Sequence, residues 1–266
     1  MTVVAFVGAP TDAKPVVTWA GRFAASKNTE LVVFYVASGR DAGELLFDAA
    51  EGEQTQDETC AAISDAIEGI VRTRRARKGR IPRYDVSVRH VIDPDPVSGT
   101  VSRLRVESPD LFIGAAFGSH TRANGKAMAQ QIAAKVACDA LVLLGRGPDA
   151  ARTKRILVAT SDGTHDASAI RLAAEATQVI VENTTIIGVE ASVGDEAIEV
   201  GERQLRTLLR ELELEESSRL EVKTVLGEDW GRGIAEEATG CDLLLVGANM
   251  EKKVTDVIET VPDVVV

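Results

Sequence analysis

Three glycines and a lysine, Gly114, Gly118, Gly125 and Lys126, fall in one short stretch between an apolar run and a helical pattern. The apolar run Leu111-Phe112-Ile113 ends at Gly114. After it come Ala115-Ala116-Phe117-Gly118, a polar loop from Ser119 to Asn124, and Gly125-Lys126. Ala129, Ile132, Ala133 and Val136 then recur at helical spacing, and a second apolar run, Ala140 to Leu144, closes the stretch. Strand, glycine-bearing loop, helix and strand make a βαβ unit. Unsatisfied backbone N–H groups gather at the start of its helix and favour an anion such as phosphate. The same glycines also have a plainer use, closing tight turns after buried strands.

A second candidate is Asp162-Gly163-Thr164, which follows the apolar run Arg155 to Thr160. An aspartate there can hold a polar ligand group or serve as a turn or N-cap residue. Catalytic machinery is harder to find. His90, His120 and His165 stand at unrelated places with no spacing that pairs them on a metal. The chain contains no Gly-x-Ser-x-Gly elbow, Walker A sequence or dinucleotide Gly-x-Gly-x-x-Gly, so no nucleophile or base is nominated.

The elements that position these residues follow from hydrophobic patterning. Thr2 to Val7 is an unbroken apolar run, as in a strand buried on both faces, and Gly8-Ala9-Pro10-Thr11 reads as a turn. Pro15 is placed near the start of a helix carrying Val16, Val17, Ala20, Phe23 and Ala24. Leu31 to Val36 is the second strand, and Asp41 to Gln56 is acidic and irregular. A helix carries Cys60, Ile63, Ala66, Ile67 and Ile70, and Tyr84 to Val91 is the third strand. A short helix through Val101, Leu104 and Val106 leads to the unit beginning at Pro109. Gly145 to Asp149 is a linker, and the pattern then restarts. Strands are expected over Arg155–Thr160, Thr185–Val189, Leu220–Val225 and Leu243–Gly247, with helices between them and a last strand at Val264–Val266. Both halves thus run βαβαβαβαβ. Their fourth strands open on Asp110-Leu111 and Asp242-Leu243 and end at Gly114 and Gly247. Such alternation calls for an α/β fold: two tandem, doubly wound, five-stranded parallel sheets, in domains 1–147 and 152–266.

Bulk properties narrow the class. The 266 residues carry a formal net charge of −11, with 45% hydrophobic and 4% aromatic residues. Such a chain has material for two cores, little affinity for nucleic acid and few base-stacking rings. No apolar run is long enough to span a bilayer, so no membrane insertion is expected. Residues 1–7 resemble a strand rather than a signal peptide. Three scattered cysteines, Cys60, Cys138 and Cys241, fit a reducing, cytoplasmic setting.

One basic run interrupts the acidic chain: Arg72, Arg74, Arg75, Arg77 and Lys78, at the end of the second helix of the first half. The matching helix end in the second half is acidic, with Glu211, Glu213, Glu215 and Glu216. Solvated helix ends account for the first run, whereas dipole logic disfavours the second. The two runs are expected to meet, within the chain or between chains.

The repeated order of elements resembles the universal stress protein family, as a tandem two-domain member, over essentially the whole chain. The local match is Ile156 to Thr164 with its following helix, similar to the family's first strand ending in Asp-Gly-Ser. In ATP-binding members a glycine, two residues, a second glycine, nine residues and Gly-Ser or Gly-Thr hold the phosphates. The first-strand Asp and a Val after the second strand hold the adenosine. The resemblance implies nucleotide contacts at Gly8, Ala9, Val36, Gly114, Gly118, Gly125 and Lys126 in the first half. In the second it implies Thr160, Asp162, Gly163, Val189 and Gly247. The first half has Gly8-Ala9-Pro10 in place of Asp-Gly-Ser, and its Gly118 falls one position late counted from Gly114. The second keeps Asp162 and Val189 but has almost no loop after Gly247. The implied function is a non-enzymatic stress-response or regulatory protein that binds ATP or AMP weakly or not at all. The alternatives are a soluble regulator of a membrane transporter and, less favoured, an ATP-hydrolysing enzyme. Family members pair through their last strand. The resemblance therefore implies self-association: an internal pseudo-dimer of Ala140–Leu144 with Val264–Val266, or a homodimer.

Overall fold

The structure is a computed structural model. It describes residues 2–36, 58–70, 85–91, 93, 95–115, 122–123, 126–143, 153–160, 166–179, 183–190, 195–214, 219–226, 230–238 and 241–246. The chain divides into two units, Met1–Ala150 and Ala151–Val266.

Unit one contains β1 (Thr2–Val7), α1 (Pro10–Lys27), β2 (Glu30–Val36), α2 (58–70), β3 (Val86–Val91), α3 (Pro96–Glu107) and β4 (Leu111–Ala115). A two-stranded ribbon, β5 (Arg122–Ala123) and β6 (Lys126–Ala127), leads into α4 (Met128–Ala133) and β7 (Asp139–Leu143). Its main sheet is parallel throughout, in the order β3-β2-β1-β4-β7. The chain steps from β1 to β2 on one side and from β3 across to β4 on the other. Right-handed crossovers therefore put α1 and α3 on opposite faces. The side chains agree. Val4, Phe6, Val32, Phe34 and Phe112 form one core with Val97, Val101 and Leu104 of α3 and Ala129 and Ile132 of α4. Val3, Ala5, Leu31, Val33, Leu111 and Ile113 alternate with them, fall on the opposite face and are fully buried. α1 packs along β1, β2 and β4, burying Trp19 and Phe23, whose rings stack at 6.1 Å.

Unit two repeats the plan with β8 (Arg155–Thr160), α5 (Asp166–Val179), β9 (Asn183–Glu190), α6 (Asp195–Glu211), β10 (Leu220–Leu226), α7 (Trp230–Ala238) and β11 (Leu243–Val246). Its sheet is also parallel, in the order β10-β9-β8-β11, so both units place their strands third, second, first, fourth. The expected fifth strand at Val264–Val266 lies outside the described residues, as do the segments 41–56 and 145–149.

The paired Asp-Leu openings have a structural use. Asp110 donates its backbone N–H to the Thr2 carbonyl while its carboxylate accepts the Thr2 N–H. Asp242 does the same one unit later, donating to Arg155 and accepting the N–H groups of Lys154 and Arg155 at 2.9 Å each. Each carboxylate clasps the start of the first strand to the start of the fourth and fixes their register through charge-assisted hydrogen bonds.

Several boundaries differ from the sequence expectation. α1 begins at Pro10 rather than beside Pro15. Pro10 takes the first-turn position that tolerates a missing N–H, and Pro15 lies inside the helix. The loop after Gly118 is not wholly irregular, because Arg122–Ala123 pairs antiparallel with Lys126–Ala127 around Asn124-Gly125, the dipeptide that two-residue hairpins favour. α4 is only 6 residues long, and Val136 packs on the core beyond its end.

α6 ends in a Schellman turn: Glu213 N–H bonds to Arg210 and Leu214 N–H to Leu209. Glu213 occupies the left-handed position at φ 58°, where glycine is preferred. Glu213→Gly is expected to raise the stability of unit two by about 1 kcal/mol, because it relieves the left-handed strain and removes an acid from a helix C-terminus. Urea denaturation checks this; a lowered midpoint contradicts it.

Candidate functional site

In open parallel sheets ligands collect at the carboxyl edge beside the switch point, here the ends of β1 and β4. Gly8 and Ala9 follow β1, Ala9 being the extended N-cap of α1. Val36 closes β2 and Gly114 lies near the end of β4, so these four predicted positions share one edge. Lys126 stands on β6, two residues before α4. Gly118 and Gly125 lie outside the described residues. In unit two, Thr160 closes β8 and is buried, and Val189 lies on β9. Asp162, Gly163 and Gly247 lie outside the described residues. So do Arg72, Arg74, Arg75, Arg77, Lys78, Glu215 and Glu216. Glu211 and Glu213 are exposed at the end of α6.

The register corrects one equivalence. β1 pairs Val3 with Leu111, and β8 pairs Ile156 with Leu243. Counting on from these pairs, Ala115, not Gly114, stands level with the position of Gly247. Gly118 is then three residues past the equivalent position, the family spacing, and the Gly-Ser position falls on Met128-Ala129. Gly114 has a different task. A Cβ placed on it would lie 2.7 Å from the Cβ of Ala129 and 3.3 Å from the Phe112 ring. Its missing side chain is what lets the first turn of α4 rest directly on β4.

The edge also holds a carboxylate that the glycine and Asp-Gly-Thr motifs do not mark. Asp12, in the first turn of α1, is only 2% exposed. Burial pushes its pKa up to about 6, against the opposing pull of the Thr11 hydroxyl at 3.4 Å and of backbone hydrogen bonds from Ala9 and Gly8. This is half of a capping box: the third helical residue reaches back to the N-cap, while Ala9 has no side chain to return the bond. The spacing from Ala9 to Asp12 was the available signal.

Two more features line the edge. Tyr35 and His90 are direct cross-strand partners whose rings stack at 4.7 Å with 7° between planes. Burial lowers the His90 pKa, favouring neutral imidazole. Beyond β3, Asp93 accepts the Asp95 N–H at 2.8 Å. Asp95 in turn caps α3, accepting the Val97 N–H at 3.1 Å and the Ser98 hydroxyl. Those bonds, led by Ser98, hold the Asp95 pKa below its ordinary value. Among the described residues no cluster of three metal-ligating side chains occurs.

No protein-family model matches the chain, and no curated protein does. Solved structures do. A universal stress protein from Archaeoglobus fulgidus DSM 4304 superimposes with a TM-score of 0.58 at 14% identity, covering 92% of this chain and 86% of that one. A putative universal stress protein from Pseudomonas aeruginosa UCBPP-PA14 gives 0.55 at 16% identity, covering 99% and 91%. A protein of unknown function from Pseudomonas aeruginosa PAO1 gives 0.53 at 15%, covering 99% and 91%. The likeness is one of fold: two universal stress protein folds in tandem.

Two measurements follow from this geometry. A buried acid with a raised pKa holds its proton more tightly in the folded state than in the unfolded one. Stability from this group therefore grows as pH falls from about 6 towards 3.8, and at pH 7 the buried charge costs up to about 3 kcal/mol. Asp12→Asn should accordingly gain more over wild type at pH 7.5 than at pH 5 in urea denaturation. An equal difference at both pH values refutes it. Gly114→Ala should destabilise unit one by about 1–3 kcal/mol through overpacking, and adding Ala129→Gly should recover part of the loss. Additive losses in the double variant would show that the two residues do not share this contact.

Proposed function

We propose that this chain is a non-enzymatic stress-response or regulatory protein of the universal stress protein type, and that unit one holds an adenine nucleotide at the carboxyl edge of its sheet. The observation that carries the reading is the repetition of one strand order, with an identical Asp-clasped first–fourth pair, in a chain of universal stress protein fold. Gly8, Ala9 and Val36 would border the nucleoside, and the loop bearing Gly118, Gly125 and Lys126 would meet the phosphate. Unit two keeps the adenosine side in Thr160, Asp162, Gly163 and Val189, with Gly247 at the shortened loop. Each copy would then have lost a different part of one ancestral site.

A binding role is supported over thiol catalysis by the state of two described cysteines. Burial, followed by the nearby Asp139 charge, pushes the Cys138 thiol up to about 11, and burial raises Cys241 as well. Both shifts run opposite to those of a reactive thiolate. The three thiols are free, which fits a cytoplasmic setting.

Mass spectrometry under native conditions tests the proposal. The protein purified without added nucleotide should hold one mononucleotide, or take one up from about 1 mM adenosine, AMP or ATP, a concentration that detects even weak sites. The nucleotide reading fails if the chain stays bare throughout. Labelled ATP should be released unhydrolysed, and turnover above the buffer control would overturn the non-enzymatic reading.

A further inference from the structure

Two buried titratable groups share one corner of unit one. Val7, Tyr35 and His90 are register partners and stand in one row across the ends of β1, β2 and β3. Strand alternation puts Tyr35 with Leu31 and Val33, and His90 with Val86 and Val88, on the face that carries α1, away from the α3 core. Asp12, in the first turn of α1, lies at the same end of that face, its carboxylate beside Gly8. Its bonds from Thr11 and from the Gly8 and Ala9 backbone offset only part of the cost of burying a charge. His90 has the opposite difficulty, because its Nε2 is buried with no hydrogen-bond partner. A neutral imidazole can leave one nitrogen bare. The cation carries N–H on both, and a buried charged donor without an acceptor is costly. Stacking on Tyr35 holds the ring in that position.

The charged groups on the neighbouring elements leave burial as the main influence on both. Of the strands that α1 packs on, β1 and β4 have no titratable side chain, and β2 has Glu30, at its amino end, and Tyr35. Lys14 on α1 itself is exposed. Around His90, Arg89 takes the opposite face and pairs with Glu107 of α3, whose Arg103 and Arg105 are exposed. Beyond β3, Asp93 accepts the Asp95 N–H, and Asp95 accepts from Val97 and Ser98. Glu58, Asp65 and Glu68 of α2 are exposed. Burial accordingly raises the Asp12 pKa to about 6 and lowers that of His90 from 6.5. Stability carried by Asp12 grows as the pH falls through 6. That carried by His90 is present above 6.5 and is lost as the pH drops below it.

We infer that this corner of unit one is a pH-responsive device: acidification closes the first turn of α1 on a protonated Asp12 and loosens the end of β3, where His90 leaves Tyr35 for water. One change in the medium thus moves two elements of the carboxyl edge in opposite senses. The device needs no bound nucleotide, so it stands or falls apart from the binding reading above.

Amide hydrogen exchange of the full chain at pH 5.5 and 7.5, normalised to intrinsic exchange rates and read by mass spectrometry, tests it. Residues 8–17 should be up to about four-fold better protected at pH 5.5, the ratio that follows from a pKa moved from 3.8 to about 6. Residues 86–91 should be less protected at pH 5.5 than at pH 7.5. Asp12→Asn should abolish the first response and keep the second. His90→Phe, which keeps a ring on Tyr35, should do the reverse. Equal protection at both pH values, two segments responding in the same sense, or responses that survive the variants would each overturn the inference. Should either variant fail to fold, NMR titration of the wild-type carboxyl and imidazole groups takes its place. Asp12 titrating at its ordinary 3.8, or His90 at 6.5 or above, then overturns it.

Discussion

The parallel pairing of the first and fourth strands is the constraint on which both units depend. It alone joins the half of each sheet wound in one direction to the half wound in the other, and its upper end is the switch point where a ligand can enter. Apolar runs do not fix such a pairing by themselves. Val3 to Val7 and Leu111 to Ile113 are buried throughout, so a slip by two residues would exchange one valine-sized side chain for another. Asp110 and Asp242 remove that freedom. Each carboxylate can accept the first-strand N–H groups in only one register, and each aspartate N–H returns a bond to the same strand. A polar contact at the amino edge thereby determines which residues meet at the carboxyl edge, five residues away.

The two edges answer to different demands. At the amino edge the units agree, because the clasp serves the sheet. At the carboxyl edge they diverge. Unit one has Ala9 where unit two has Asp162, and the nearest carboxylate, Asp12, is turned inward onto the backbone. That arrangement satisfies the N-cap N–H groups of α1 and at the same time occupies donors that could have met a ligand anion. Gly114 shows a similar substitution of purpose. Its small size is spent on the approach of α4, not on a turn around phosphate.

Most of the fold was legible in the sequence because burial on both faces leaves a strong imprint. Unbroken apolar runs such as Leu31 to Tyr35 can scarcely be anything but central strands, and the repeated Asp-Leu openings marked the same strand in each half. The edge was legible only in part. Gly114 and Gly247 look equivalent when counted from the end of an apolar run. Strand ends are not marked by composition, and the one-residue offset appears only when pairing is counted from Asp110 and Asp242. Asp12 is hard to read from sequence for a related reason. An acid in a first helical turn usually faces water, and its burial depends on how α1 lies across β1 and β4, which the capping spacing from Ala9 to Asp12 does not encode by itself. Pro15 is ambiguous in a similar way, because Pro10 also suits a first turn and only the capping geometry separates them.

This separation of demands lets one strand plan recur in both units while the residues at its carboxyl edge differ. The sheet draws its stability from side chains buried between layers and from pairing fixed at the amino edge. Neither set includes Ala9. Substitutions in loops at the carboxyl edge therefore change charge and donor supply at modest energetic cost, whereas a change at Phe6 or Phe112, in ring contact at 6.1 Å, reaches the core shared by four strands and two helices. The lengths of the two loops after the fourth strands follow the same logic. Twelve residues separate Ala115 from Met128 in unit one, enough for an ordered ribbon, yet the strand that precedes them begins on the same aspartate clasp as in unit two. Divergence at the edge and identity at the base are thus two consequences of a single division of labour along each strand.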